Sequence, residues 1–266
     1  MNSGNLLFFD IDGTLIDDES KFIPPSVFEA LRETQARGNK VFLNTGRVLK
    51  LTNSLAKLFH VDGAVCGCGT HIIVDGETVF HNELSLKRCN ELKALIKKYD
   101  IDVVIEAQTG LYFNAAPFKY CTSFNPEKWD VKADELFYNS LDDDTFVFDK
   151  FSAEEPPDDV ERYDRFIDEL YDFYCIKREK SFKECVPVGC TKGTGIDYLM
   201  DYFQVAPEKT YVFGDSTNDL EMFKSRAGNR IVMRDYAPEL APYATYITDS
   251  PLNDGIMKAL RHFELI

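Results

Sequence analysis

Leu6 to Phe9 form an unbroken apolar run that stops at Asp10-Ile11-Asp12-Gly13-Thr14, which predicts a short buried strand ending in two carboxylates. Ser26-Val27-Phe28-Glu29 reads as a capping box opening a helix that stops near Gly38. VFLNT, residues 41–45, predicts a second buried strand, and Leu51, Leu55, Leu58 and Phe59 place one apolar face on a following helix. GAVC then predicts a third strand, and HIIVDGETVFH a hairpin turning at Asp75-Gly76. Strand, helix and strand in this order imply parallel strands joined by right-handed crossovers.

The middle of the chain has another rhythm. A helix over residues 85–99 carries Leu86, Cys89, Leu92, Ile96 and Tyr99 on its apolar face. Two strands follow, DVVIEA and LYFN, joined by Gln108-Thr109-Gly110, and then an irregular stretch that holds Trp129. TFVFDKF predicts a strand, residues 157–173 a helix striped by Val160, Tyr163, Phe166, Ile167 and Leu170, and FYCIKRE with FKECVPV a strand pair. Hairpins and helices in this sequence predict an α+β unit with an antiparallel sheet. The acidic runs Asp142-Asp143-Asp144 and EEPPDD read as solvated loops.

From about residue 190 the first rhythm returns. Ile196, Leu199, Met200 and Phe203 mark a helix, TYVFGD a strand, and a helix starts near Asn218; RIVM is a further strand, and residues 253–263 close with a helix. The organisation is therefore an α/β domain over 1–83 and 188–266, interrupted by an α+β domain over 84–187.

A chain of 266 residues has length enough for this arrangement, and 44% hydrophobic with 28% charged residues is ordinary for a globular protein. The net charge of −15 argues against nucleic acid or anionic membrane as general partners. An anionic substrate would need positive charge concentrated locally. No apolar run approaches the roughly 18–20 residues that cross a bilayer, and the first apolar run has no basic flank and ends at Asp10. A cytoplasmic location is expected. The seven cysteines are scattered without a CxxC pair, which fits reduced thiols, and Cys66-Gly67-Cys68 matches no common zinc spacing.

Side chains two apart on a strand share a face, so Asp10 and Asp12 lie close together. Two such charges repel by about 4 kcal/mol at ~4 Å and an effective dielectric of about 20, a cost that a cation relieves. A second apolar strand, residues 211–213, also ends in carboxylates, at Gly214-Asp215-Ser216-Thr217-Asn218-Asp219. Carboxyl ends of neighbouring parallel strands face one crevice, where VFLNTGR would add Thr45 and Gly46. Four carboxylates with no histidine make a hard oxygen site suited to Mg2+ rather than to zinc or copper. Lys192, in CTKGTG at the start of a helix, is the candidate cation of the chain itself.

This set resembles the haloacid dehalogenase superfamily: DIDGT at 10–14, Thr45 in LNTGR, Lys192 in TKG and GDSTND at 214–219 look like its four motifs in order. The resemblance implies a Rossmann-like parallel-sheet core, and the insertion looks like the type IIB cap of the Cof-type phosphatases. Arg47 and the tail YATYITDSPLNDGI also look Cof-like, whereas CGCGTH and NRIVMRDYAPE depart from that pattern. By position, the resemblance makes Asp10 the nucleophile and Asp12 the general acid and base. It gives the metal to Asp10, the carbonyl of Asp12, Asp215 and Asp219, and the phosphate to Thr45, Gly46, Lys192 and Asn218. The implied activity is Mg2+-dependent hydrolysis of a small phosphorylated metabolite through an aspartyl-phosphate. A phosphomutase resembling the phosphomannomutases is the alternative, distinguished by dependence on a sugar bisphosphate. A non-catalytic phosphate-binding module is a third, distinguished by binding without turnover. Tyr112, Phe118, Lys119, Tyr120 and Trp129 are candidate specificity residues of the cap.

Overall fold

The computed structural model describes residues 4–114, 118–121, 136–138, 141–177 and 182–266. The chain is a mixed α/β protein that divides into two compact units. One comprises residues 1–46, 52–80 and 191–266, the other residues 47–51 and 81–190. Trp129 lies outside the described residues.

The first unit is built on an eight-stranded sheet. Its strands are β1 (Leu6–Phe9), β2 (Lys40–Asn44), β3 (Gly63–Cys66), β4 (His71–Val74), β5 (Glu77–His81), β12 (Thr210–Gly214), β13 (Asn229–Val232) and β14 (Tyr246–Ile247). They are ordered β14-β13-β12-β1-β2-β3-β4-β5. All pairs from β14 to β3 are parallel, and β3 pairs antiparallel with β4. β1 and β12 are neighbours in register, Phe9 opposite Phe213, so Asp10 and Asp215 leave adjacent strands at the same end. β1 is buried at all four positions, as a strand covered on both faces must be. Helices α5 (Lys192–Phe203) and α6 (Leu220–Lys224) supply Ile196, Leu199, Met200, Met222 and Phe223 to a core shared with Leu6, Phe8, Phe42, Val65 and Val212. Helices α1 (Pro25–Ala36) and α7 (Gly255–His262) pack on each other.

The second unit is a six-stranded sheet ordered β10-β11-β9-β6-β7-β8. The strands are β6 (Val103–Ala107), β7 (Gly110–Phe113), β8 (Leu136–Tyr138), β9 (Lys150–Glu154), β10 (Phe173–Lys177) and β11 (Phe182–Pro187). Its pairs are antiparallel apart from β7 with β8. Helices α3 (Leu86–Tyr99) and α4 (Val160–Asp168) bury Leu92, Ile96, Tyr163 and Phe166 against Val103, Ile105, Phe151 and Cys185.

Four local expectations need correction. Helix α1 begins at Pro25 and has no side-chain cap bond, so Ser26 and Glu29 make no capping box. Proline at the first helical position has a preset φ and no N–H to satisfy, which moves the start upstream. Helix α4 is shorter than 157–173. The Asp159 carboxylate accepts from the Arg162 amide at its start, and the turn bonds Leu170 N to Ile167 O and Phe173 N to Leu170 O lead it directly into β10. The strand expected over TFVFDKF begins only at Lys150. Thr145 is folded onto the Asp143 carboxylate, and the carbonyl of Phe146 accepts from Lys93 Nζ at 3.3 Å. Glu154, expected in an acidic solvated loop, instead ends β9 and is buried.

Candidate active site

Three crossovers deliver the site. Asp10 follows β1, Thr45 and Gly46 follow β2, and Asp215 follows β12. Lys192 is the first residue of α5, whose start is fixed by a capping box the sequence reading did not foresee. Thr191 Oγ1 accepts from the Thr194 amide at 3.0 Å, and Thr194 Oγ1 accepts from the Thr191 amide at 2.9 Å. Asn44 Nδ2 donates to the Lys192 carbonyl at 2.9 Å and so ties the tip of β2 to the same helix start.

Lys192 Nζ sits 2.5 Å from Asp10 Oδ1 and 2.6 Å from Asp219 Oδ1, and donates to Asn218 Oδ1 at 3.3 Å. Asp10, Lys192 and Asp219 are 5%, 1% and 0% exposed, so this ion network is withdrawn from water. Asp219 Oδ2 accepts the amides of Asp215 and Ser216 at 3.0 and 3.1 Å. Thr14 Oγ1 donates to Asp215 Oδ1 at 3.0 Å. One carboxylate oxygen from each of Asp10, Asp215 and Asp219 lies within 4.8 Å of the other two. Asp12 is half-buried and outside that group, with Lys21 Nζ 3.4 Å from its Oδ1. Thr45 is buried, with its amide bonded to the Val65 carbonyl.

Burial and the nearby Asp219 carboxylate push the Asp10 carboxyl up to about 7, against the opposing pull of Lys192. Burial, Asp219 and Asp10 push Asp215 up to about 9. Burial disfavours the Lys192 ammonium, but Asp10 and Asp219 outweigh it and the pKa rises. The carboxylates thus exceed the positive charge available to them. Three converging oxygen donors without a histidine match a hard divalent cation. The main chain also leaves room for them. Gly13 has φ +80°, and a Cβ there would meet Asp215 Oδ2 at 2.3 Å.

The structure therefore brings Asp10, Lys192, Asp215, Asn218 and Asp219 together, with Thr45 and Gly46 at the neighbouring strand tip and Asp12 two residues beyond Asp10. Sequence reasoning missed Thr14, Asn44 and Lys21. The first two stand inside DIDGT and LNTGR, where a polar residue beside a strand tip was the available signal.

A model of haloacid dehalogenase-like hydrolases matches residues 7–260. The chain belongs to this family. As a haloacid dehalogenase-like hydrolase it is an enzyme, and two Bacillus subtilis relatives match along nearly their whole lengths. The Bacillus subtilis (strain 168) protein YkrA is 26% identical over 98% of both chains. The 5-amino-6-(5-phospho-D-ribitylamino)uracil phosphatase YitU of the same organism is 23% identical over 97% of both. Among solved structures, the subclass IIB sugar phosphatase BT4131 superposes with a TM-score of 0.80 at 24% identity, covering 98% of this chain and 100% of its own. This likeness extends through both sheets, so the fold of this hydrolase is that of the family throughout.

Proposed function

We propose that this hydrolase is a phosphatase that uses Mg2+ to release inorganic phosphate from a small phosphorylated metabolite. The observation that carries the reading is the Lys192 ammonium bridging Asp10 and Asp219 with the Asp215 carboxylate beside them. Asp10, the carbonyl of Asp12 and Asp215 would hold the ion. When bound, Mg2+ would offset the carboxylate excess and attract phosphoryl oxygens into an otherwise repulsive cleft.

The chain's own groups would do the rest. The Asp10 carboxylate would attack phosphorus, forming an aspartyl-phosphate as the ester P–O bond breaks. Asp12 would give its proton to the departing alcohol oxygen and then take one from the water that hydrolyses the aspartyl-phosphate. Thr45, Lys192 and Asn218, with the Gly46 amide, would hold the phosphoryl oxygens as charge redistributes. Asp219 would orient the ion's shell directly or through water, while its bonds to Lys192 and to the amides after β12 would fix Lys192 and Asp215 in place. The first compact unit would then be the catalytic core and the second a type IIB cap carrying substrate selectivity. A reduced, cytoplasmic setting would suit the scattered cysteines of the chain, which include no CxxC pair.

YitU is named for 5-amino-6-(5-phospho-D-ribitylamino)uracil and BT4131 as a sugar phosphatase, which supports small organic phosphates as the starting panel. The test is phosphate release from p-nitrophenyl phosphate and a metabolite panel with Mg2+, compared with Asp10→Asn. Turnover by wild type and a loss of at least ~10³-fold in the variant are expected. A folded wild type inert towards every ester would end the proposal.

A further inference from the structure

We propose that Cys175 and Cys185 form a dithiol modification site that a low-molecular-weight disulfide converts into an intrachain disulfide. The two residues are direct partners on the antiparallel strands β10 and β11, and their Sγ atoms lie 2.9 Å apart. The register identifies the kind of pair they make. Val188 N donates to Asp172 O at 2.8 Å, so 172 and 188 are a hydrogen-bonded pair. Alternation along the ladder makes 173/187 non-bonded, as Pro187 without an N–H requires, then 174/186 bonded and 175/185 non-bonded. Non-bonded partners have Cα atoms about 4.5 Å apart, inside the ~4.4–6.8 Å window of disulfides. Closure needs no change of register.

The two sulfurs differ in access. β10 is the edge strand and Cys175 is half-buried, whereas Cys185 on the inner strand β11 is fully buried. The hydrogen bond from Cys185 lowers the Cys175 pKa, with Lys183 acting in the same direction, while burial raises that of Cys185. Cys175 is therefore the attacking thiolate and Cys185 the resolving thiol.

Glutathione disulfide serves as the probe. The Cys175 thiolate attacks one of its sulfurs, the S–S bond breaks, and one glutathione thiolate leaves and takes a proton. Cys185 then loses its proton and attacks the Cys175 sulfur, expelling the second glutathione. Two electrons pass from the protein dithiol to the disulfide, which becomes two thiols.

The full chain is equilibrated in glutathione buffers of increasing oxidised fraction, quenched with acid, alkylated and peptide-mapped. A peptide linking Cys175 to Cys185 is expected in the wild type, formed before Cys66, Cys68, Cys89, Cys121 or Cys190 lose alkylation. In Cys185→Ser the reaction stops at its first step, and glutathione accumulates on Cys175. In Cys175→Ser neither the linked peptide nor an adduct on Cys185 is expected. A wild type that keeps both thiols in the most oxidising buffer overturns the proposal. So does one that carries glutathione on Cys175 without ever linking it to Cys185.

Discussion

At Lys192 a single ammonium answers two buried carboxylates, Asp10 and Asp219. Removing it leaves both uncompensated, so Lys192→Met should cost about 3–5 kcal/mol of stability at neutral pH, read by chemical denaturation. Retention of wild-type stability would show that the network is not held by charge. For Asp12 the informative variable is the leaving group. A general acid contributes about 10²–10⁴-fold, and p-nitrophenolate leaves with little help. Asp12→Asn should therefore lose much more activity on an alkyl phosphate than on p-nitrophenyl phosphate, and equal losses would deny Asp12 that role. In the proposed site Thr14 would act at one remove, through its hydrogen bond to Asp215. Thr14→Val should weaken Mg2+ affinity by about 10–100-fold in a titration of activity against the ion.

At the level of elements, the apolar periodicity located strands and helices but not all of their ends. Pro25 displaced the start of α1, and the Thr145–Asp143 turn delayed β9, because a local hydrogen bond or a fixed φ outweighs one more apolar residue in a run. Pairing between distant elements was less legible still. Lys150 on β9 lies 2.6 Å from Glu106 on β6 and 2.5 Å from Glu184 on β11, all buried in the second unit's sheet. None of these three residues stands out in the sequence, since each occupies an ordinary alternate position of its strand. Lys150→Met alone should destabilise the protein by about 3–5 kcal/mol, whereas replacing all three residues by apolar ones of similar volume should be close to neutral. Thermal melts of the single and triple variants separate a costly broken pair from a costly missing one.

For the molecule as a whole, the raised carboxyl pKa values link stability to pH. Asp10 and Asp215 stand at about 7 and about 9 against 3.8 for an ordinary aspartate. Raised folded-state values make stability fully present below about pH 4 and lost as pH climbs through 7 towards 9. Lys192, with its pKa raised above the usual lysine range, stays charged throughout that window and does not reverse the sign. In chelator the melting temperature should fall between pH 5 and pH 9, and excess Mg2+ should restore it most at the alkaline end. A melting temperature indifferent to Mg2+ at every pH would remove the ion from the proposed chemistry.

The sequence by itself determined the strand–helix order, the carboxylates at the tips of two strands, and the family to which the chain belongs. Each of these depends on neighbours in the chain, where spacing along one element translates directly into a shared face or a strand end. Tertiary structure alone decided that Lys192 joins Asp10 to Asp219, that Thr14 holds Asp215, and that Cys175 faces Cys185. Such contacts depend on which strands become neighbours and in what register, and that outcome is set by burying the whole core rather than by any local run of residues.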